Sequence, residues 1–310
     1  MPRVPRLLNA GESTVYHVMS RTALDGFPLG DIEKDFLLKL LKSLSKLYFV
    51  DVLGFAIMGN HFHFLVRMIP DNHFSDEEIL QRIKTFYGKK RMVTESQIPE
   101  FRTKLSSLSE LMKDLKQTFT RHYNKEKKRF GFFWGQRFKS LIVEEGETLI
   151  NCLAYIDLNP VRAGLVERPE DYRWNTLGYL MQTNNKEGFL SLNFGLHSEE
   201  NMTIEGRIKW YRQFVYEIGT LPSEKGKSID QAVLQTEQNK GFQITRTDRF
   251  KYRTRYFTDS GVIGSRAFVA RQYDIFEDYF NSRRPKKPVP IEGLDGCFSL
   301  KQLALKGQGS

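Results

Sequence analysis

Two histidines separated by one residue, His61 and His63, are the group in this chain whose type and spacing most clearly could do chemistry. The run from Phe55 to Arg67 around them is strand-like, and side chains two apart on a strand share a face. The two imidazoles should therefore project together while Phe62 points the other way, into a core. Two adjacent imidazoles make half of a divalent-metal site. On spacing alone, metal binding and ordinary packing remain equally open.

The other histidines give no obvious further ligand. The chain has six in all, and the four outside the pair are scattered, so each is expected to be a packing or surface residue: His17, His73, His122 and His197. Metallohydrolase barrels and cupins also use a His-x-His pair, but they draw more His or carboxylate ligands from other strands. The shortage of such ligands disfavours a metallohydrolase that acts on small molecules.

A second reactive pair, Tyr155 and Asn159, lies on a segment with helical periodicity, residues 148–160. At ~100° per residue, positions four apart lie close together, here on the rim of an apolar stripe formed by Leu149, Leu153 and Ile156. An Asn side chain can supply a neutral metal ligand, and a phenol can act as a nucleophile toward phosphorus. Tyr155 is nevertheless one of thirteen tyrosines, so the pattern alone leaves its role open.

The net charge of +10 indicates a polyanionic partner, either nucleic acid or an acidic membrane surface. Basic residues concentrate between positions 113 and 139, where nine Lys and Arg stand against two acids and aromatic residues are interleaved. Cations that meet phosphate and rings that stack on bases are typical of single-stranded nucleic-acid binding. The candidate contacts in this stretch are Lys116, Arg121 and Trp134. A solvated helix face followed by a buried aromatic strand explains the same pattern equally well.

Periodicity and turn signals predict an α+β fold, an antiparallel or mixed sheet covered by helices. The predicted strands are 14–22, 50–58, 62–68 and the extended stretch 132–143. The predicted helices are 31–48, one that starts at the capping box of Ser75, 105–123, 145–158, 203–218, 228–238 and 265–280. We expect a first domain over residues 1–180, then a linker and helix over 181–225. Residues 226–310 should form a mainly helical accessory region, in which the basic cluster 246–256 suits nucleic-acid binding or a charged loop.

Other patterns limit the classes of protein. No apolar run approaches the length of a membrane span and the N-terminus lacks a signal-peptide core, so we expect a cytoplasmic protein. Two distant cysteines, Cys152 and Cys297, argue against a disulfide framework or a zinc ribbon. The stretch Gly226-Lys227-Ser228 has Leu221 where a P-loop needs glycine, so no nucleotide cofactor is expected.

Three motifs together resemble the single-tyrosine HUH transposases, and most of all their REP-associated tyrosine transposase branch. They are Met58–His63, Phe133–Ser140 and Tyr155–Gly164, which occur in the expected order. The resemblance covers roughly residues 10–180. The long segment between Asp71 and Glu110 departs from the most compact members, and residues 181–310 lie outside the motifs.

The resemblance implies a ferredoxin-like or RRM-like sheet, the HUH nuclease fold, with His61 and His63 on a central strand. It assigns metal ligation to His61, His63 and Asn159, and nucleophilic attack to Tyr155. With Mg²⁺ or Mn²⁺, such a protein cleaves single-stranded or hairpin DNA and rejoins it through a 5′-phosphotyrosine. Further candidates for holding phosphate are Arg137, Lys139 and Arg162, although arginines in such places also cap helices or pair with acids.

The resemblance leaves several alternatives. The protein could be a domesticated regulator that binds hairpin DNA or RNA without catalysis, but an intact set of two histidines, a tyrosine and an asparagine favours activity. It would act beside the nucleoid, as a monomer or a homodimer.

Overall fold

The computed structural model describes residues 7–9, 11–88, 93–183, 185–196, 202–221, 226–229, 261–280, 285–291 and 296–300. The chain forms two compact units built from interleaved segments. We call residues 8–139 and 173–191 the histidine unit, and residues 1–7, 140–172 and 192–310 the tyrosine unit. Both contain helices and strands, so the predicted α+β class is confirmed. The domain boundaries at 180 and 225 stay predictions.

The histidine unit contains three antiparallel strands, in the order β2-β3-β1. They are β1 (Thr14–Arg21), β2 (Val50–Ile57) and β3 (His61–Met68), close to the three strands that the sequence predicts. The turn at Gly59 and Asn60 joins β2 to β3, and the register of β2 shifts between Val52 and Gly54. The strand that carries the two histidines is therefore the central one of the three.

Five helices accompany this sheet in the part of the histidine unit that the structure describes. They are α1 (Asp31–Leu47), α2 (Asp76–Tyr87), α3 (Ile98–Leu105), α4 (Leu108–Glu126) and α7 (Thr176–Thr183). Leucines at helical spacing bury one side of α1, at Leu37, Leu41, Leu44 and Leu47. The predicted capping box at the start of α2 is present, between Ser75 and Glu78.

Two predicted elements have different bounds. The helix predicted over 105–123 is α4, which begins three residues later, because the Ser107 side chain caps its start by accepting from the backbone N–H of Glu110. Only Lys139–Val143 of the stretch predicted as extended is a strand, β4. The residues before it are irregular: Gly131 has a φ of 91° and Trp134 forms an isolated bridge with Thr22.

In the tyrosine unit, β4 pairs in parallel with β5 (Val262–Gly264). Two short antiparallel strands, β6 (Val289–Pro290) and β7 (Phe298–Ser299), extend this sheet through the pairing of β7 with β5. The helices among its described residues are α5 (Glu147–Asp157), α6 (Asn159–Arg162), α8 (Ile204–Gly219) and α9 (Arg266–Ile275). The described part of residues 181–310 thus contains strands as well as the helices predicted near 203–218 and 265–280.

The predicted helix 228–238 begins at the edge of the described residues and lies almost wholly outside them, and the basic cluster 246–256 and His197 lie outside them entirely. In the part of the chain that the structure describes, no helix is both long and apolar enough to cross a membrane.

Candidate functional site

His61 and His63 lie side by side at the start of β3. Their ring centroids are 5.1 Å apart and the rings are nearly perpendicular, at 82°. Strand register places Arg21 opposite His61 and Met19 opposite His63, so these four side chains share one face of the sheet. The opposite face carries Phe62, which is fully buried. The period-2 spacing in the sequence therefore produces the expected pair of adjacent imidazoles.

Hydrogen bonds fix the orientation of both rings. Nδ1 of His61 lies 2.8 Å from Oδ1 of Asn60, whose amide nitrogen donates to the Gly26 carbonyl at 3.3 Å. Because the amide oxygen only accepts, Nδ1 of His61 carries the hydrogen and Nε2 carries the lone pair. Nδ1 of His63 is 2.9 Å from Nε2 of His17, so a cation bound by His63 would be bound through Nε2. An outer partner on the other ring nitrogen is the usual arrangement of metal-ligating histidines.

Both histidines are held in the neutral form. Burial, aided by the Arg21 charge, lowers the pKa of His61 to about 4. Burial and the neighbouring imidazoles of His17 and His61 lower the pKa of His63 well below its ordinary value. Neutral imidazole is the form that ligates a metal, so the donor set fits a divalent cation.

His17 is a functional candidate that sequence reasoning missed. It is fully buried on β1, and its ring stacks on His63 with the centroids 5.2 Å apart. Alternation along β1 indicates a shared face, but only the pairing of β1 with β3 brings His17 to His63. We assign His17 to positioning the ring of His63.

The two histidines do not form a complete metal site by themselves. In the described part of the chain, no group of three or more His, Cys, Asp or Glu side chains could hold a metal ion. Asn159, the third ligand predicted from the sequence, carries an amide oxygen and so stands outside these four residue types.

The lowered pKa of His61 gives a prediction about stability. An unfolded histidine has a pKa of ~6.5. As the pH falls, the unfolded chain therefore takes up a proton at this residue before the folded chain does. The contribution of neutral His61 to the free energy of unfolding is therefore complete above pH ~6.5 and is lost as the pH falls toward about 4. We expect a loss of up to about 3 kcal/mol relative to His61→Gln. Urea unfolding of both proteins at several pH values measures it, and parallel pH profiles would contradict it.

Tyr155 and Asn159 lie in the tyrosine unit, at the end of α5 and the start of α6. Both are half-buried, whereas the apolar stripe beside them is fully buried at Leu149, Leu153 and Ile156. A phenol and an amide thus occupy the rim of one helix surface, as their spacing predicts.

The orientation of the Asn159 amide is fixed by the helix end. Its Nδ2 donates to the backbone carbonyls of Tyr155, at 2.9 Å, and Ile156, at 3.2 Å. Carbonyl oxygens only accept, so the amide nitrogen faces the helix and Oδ1 is the atom directed elsewhere. Oδ1 is also the atom with which an asparagine binds a metal.

Two charged residues near Tyr155 have separate roles. The guanidinium carbon of Arg162 lies 5.4 Å from the centre of the Tyr155 ring, within the range of a cation–π contact. Burial lowers the pKa of Arg162, and Tyr155 opposes that change. Asp157 is fully buried and accepts a hydrogen bond of 2.6 Å from the Tyr211 hydroxyl. The partner of the Asp157 carboxylate in this bond is therefore Tyr211.

The predicted DNA contacts of the basic segment divide by exposure. Arg121, Arg137 and Lys139 are exposed. Trp134 is buried; its indole N–H donates to the Lys116 carbonyl at 3.2 Å, and it serves packing here. Lys116 is half-buried and donates to the carbonyl of Gln136 at 2.8 Å. The rings that solvent reaches in this segment are instead Phe130 and Phe132, which are 95% and 87% exposed.

Backbone hydrogen bonds attach this basic segment to the strand beside the histidines. The N–H of Gly135 donates to the Arg21 carbonyl at 3.0 Å, and the N–H of Ala23 donates to the Phe133 carbonyl at 2.7 Å. Arg21 is the register partner of His61. Residues 133–135 of the basic segment therefore lie beside the end of β1 that faces His61, within the same unit.

Comparison with known proteins adds little to these observations. No family model and no curated protein matches the chain. It is similar to a solved structure described as a REP-associated tyrosine transposase bound to a REP hairpin, with 12% identity and a TM-score of 0.41. The similarity covers 59% of this chain and 87% of that one. Because both values are low, the likeness establishes neither a shared fold nor a shared activity.

Proposed function

We propose that this protein is a metal-dependent single-stranded DNA endonuclease and strand transferase, a transposase that acts through a 5′-phosphotyrosine. The observation that carries the proposal is the histidine pair, which is neutral and oriented by outer hydrogen bonds. The neighbouring strand β1 is joined by backbone bonds to the basic segment. The position of the pair on the middle one of three antiparallel strands supports the HUH nuclease fold.

His61 and His63 would hold the metal ion through Nε2, and Asn159 would add its amide oxygen. A bound Mg²⁺ or Mn²⁺ supplies Lewis-acid polarisation of the scissile phosphate. His17 and Asn60 keep the two imidazoles in the tautomer and the orientation that this requires. Asn159 is oriented by the helix end that also carries Tyr155.

Tyr155 would provide the nucleophile. Its phenol loses a proton, and the oxygen attacks the phosphorus while the bond to the 3′ oxygen breaks. The products are a tyrosine ester of the 5′ phosphate and a 3′ hydroxyl, which takes up one proton. Attack by a 3′ hydroxyl reverses the step, so joining needs no ATP. Arg162, whose guanidinium contacts the ring, would place a positive charge near the reacting group.

The direct test is incubation of the protein with labelled single-stranded hairpin DNA and Mn²⁺, followed by a denaturing gel. We expect a shortened product and a slower band that contains both protein and label. Tight binding with no cleavage at any metal concentration would instead indicate a non-catalytic DNA-binding regulator.

The basic segment gives a further prediction, on the dependence of binding on salt. If Arg137 and Lys139 each neutralise one phosphate, replacing either with Gln should make the slope of log affinity against log salt shallower by about 0.7. Lys84→Gln, an exposed lysine on α2, removes the same charge and should leave the slope unchanged. Fluorescence anisotropy at several ionic strengths measures the slopes. Equal effects of the three variants, or equal affinity for blunt duplex and single-stranded hairpin, would contradict the prediction.

A further inference from the structure

Phe27 is an aromatic ring held in solvent beside the histidine pair. It lies in the loop between β1 and α1 and is 80% exposed. A Cβ added at Gly59 would come within 2.7 Å of Cδ1 of Phe27, so the ring rests directly on the turn that precedes His61. The ring can occupy this position because Gly59 has no side chain. A larger residue at position 59 would displace the Phe27 ring.

The loop that carries Phe27 is tied to the same turn by three hydrogen bonds. The N–H of Leu29 donates to the Gly59 carbonyl at 2.9 Å, and that of Thr22 to the Asn60 carbonyl at 2.9 Å. The Asn60 amide donates to the Gly26 carbonyl at 3.3 Å. Asn60 also binds the His61 ring. The exposed ring is therefore positioned by the contacts that orient His61, and its exposure does not come from a loose loop.

Arg21 places a cation next to His61. It is exposed, it ends β1, and it stands directly opposite His61 in the antiparallel register. Side chains in such pairs have Cβ atoms roughly 5 Å apart. A cation opposite His61 and an accessible ring on the turn before His61 thus lie at the same end of β3.

We propose that Phe27 and Arg21 hold one unpaired nucleotide of the DNA strand next to the histidine pair, with the base stacked on Phe27 and a phosphate bound by Arg21. This inference rests on the proposed function. The occupant follows from charge and shape: an exposed flat ring and a cation at the same end of β3, in a chain of net charge +10, fit a stacked base linked to a phosphate. A base in a duplex is already stacked on both faces and could not bind the ring in this way.

The test distinguishes stacking of a base on Phe27 from binding of a phosphate by Arg21. Phe27→Leu keeps an apolar side chain against Gly59 but removes the flat ring, whereas Phe27→Tyr keeps the ring. The full-length proteins are titrated in EDTA, which prevents cleavage, with two labelled probes: oligothymidylate and an abasic strand of the same length. Loss of one stacked base costs ~1–3 kcal/mol, so we expect Phe27→Leu to weaken binding of oligothymidylate about tenfold and leave abasic binding unchanged.

The two other variants have distinct expected results. Phe27→Tyr should bind both probes as the parent protein does. Arg21→Gln should weaken both probes by the same factor, because both have phosphates. An equal loss of both probes in Phe27→Leu, or no loss, would overturn the role of the ring and would indicate structural support of the turn or an apolar protein partner.

Failure of this inference is distinguishable from failure of the proposed function. The binding measurements need neither metal nor cleavage, so their outcome does not depend on whether Tyr155 reacts. A covalent adduct with no base-specific loss in Phe27→Leu would overturn the nucleotide site and leave the enzyme intact. A base-specific loss without any adduct would retain the nucleotide site and overturn the enzyme.

Discussion

Replacement of Tyr155 with Phe should reduce cleavage of single-stranded DNA by at least about a thousandfold, with no covalent adduct. The change removes the one oxygen that can form the phosphate ester. Tyr155 is half-buried at a helix rim, so the loss should cost little stability and should leave DNA binding nearly intact. Gel assays of cleavage and anisotropy measurements of binding, made on the same preparations, measure the two effects.

Tyr216→Phe is the matched control, because Tyr216 is also half-buried in the tyrosine unit and its hydroxyl bonds to Glu170. It should cleave as the parent protein does. If Tyr155→Phe still yields an adduct that survives denaturation, another tyrosine performs the attack and the assignment of Tyr155 is wrong.

Replacement of His61 with Ala should abolish cleavage through loss of the metal ion, while binding of DNA in EDTA persists. We expect the affinity for Mn²⁺ to fall by more than about a hundredfold, since even the loss of an outer partner costs about 10–100-fold. His17→Phe tests the smaller loss expected for an outer partner. It keeps a ring against His63 but removes the hydrogen bond to Nδ1 of His63. Titration of Mn²⁺ followed by electron paramagnetic resonance measures all three proteins.

The control for a general effect of histidine removal is His122→Ala. His122 lies in the same unit and stacks on Phe36, with ring centroids 3.7 Å apart. It should leave Mn²⁺ binding unchanged. Equal Mn²⁺ affinity in His61→Ala and the parent protein would show that the ion binds elsewhere.

The local parts of the candidate site follow from sequence. Alternation along a strand brings His61 beside His63, and helical periodicity brings Tyr155 beside Asn159. The same periodicities identify most helices and strands, because each depends on residues close together in the chain. The capping box at Ser75 is predicted for the same reason.

Long-range contacts do not follow from sequence. His17 reaches His63 only because β1 pairs with β3, and Phe27 reaches Gly59 only because a loop folds over a turn more than thirty residues away in the chain. The basic segment shows a related limit: neighbouring aromatic residues look equivalent in sequence. The fold buries Trp134 and exposes Phe132, since the backbone there is irregular and does not alternate as a strand does.

The central claim is that Tyr155 becomes covalently joined to DNA, and peptide mapping of the adduct tests it most directly. The protein is incubated with single-stranded hairpin DNA and Mn²⁺, denatured, treated with nuclease and protease, and analysed by mass spectrometry. The account predicts a nucleotide attached through its 5′ phosphate to the peptide that contains Tyr155. Attachment to any other residue, or cleavage with no attached nucleotide, would contradict it.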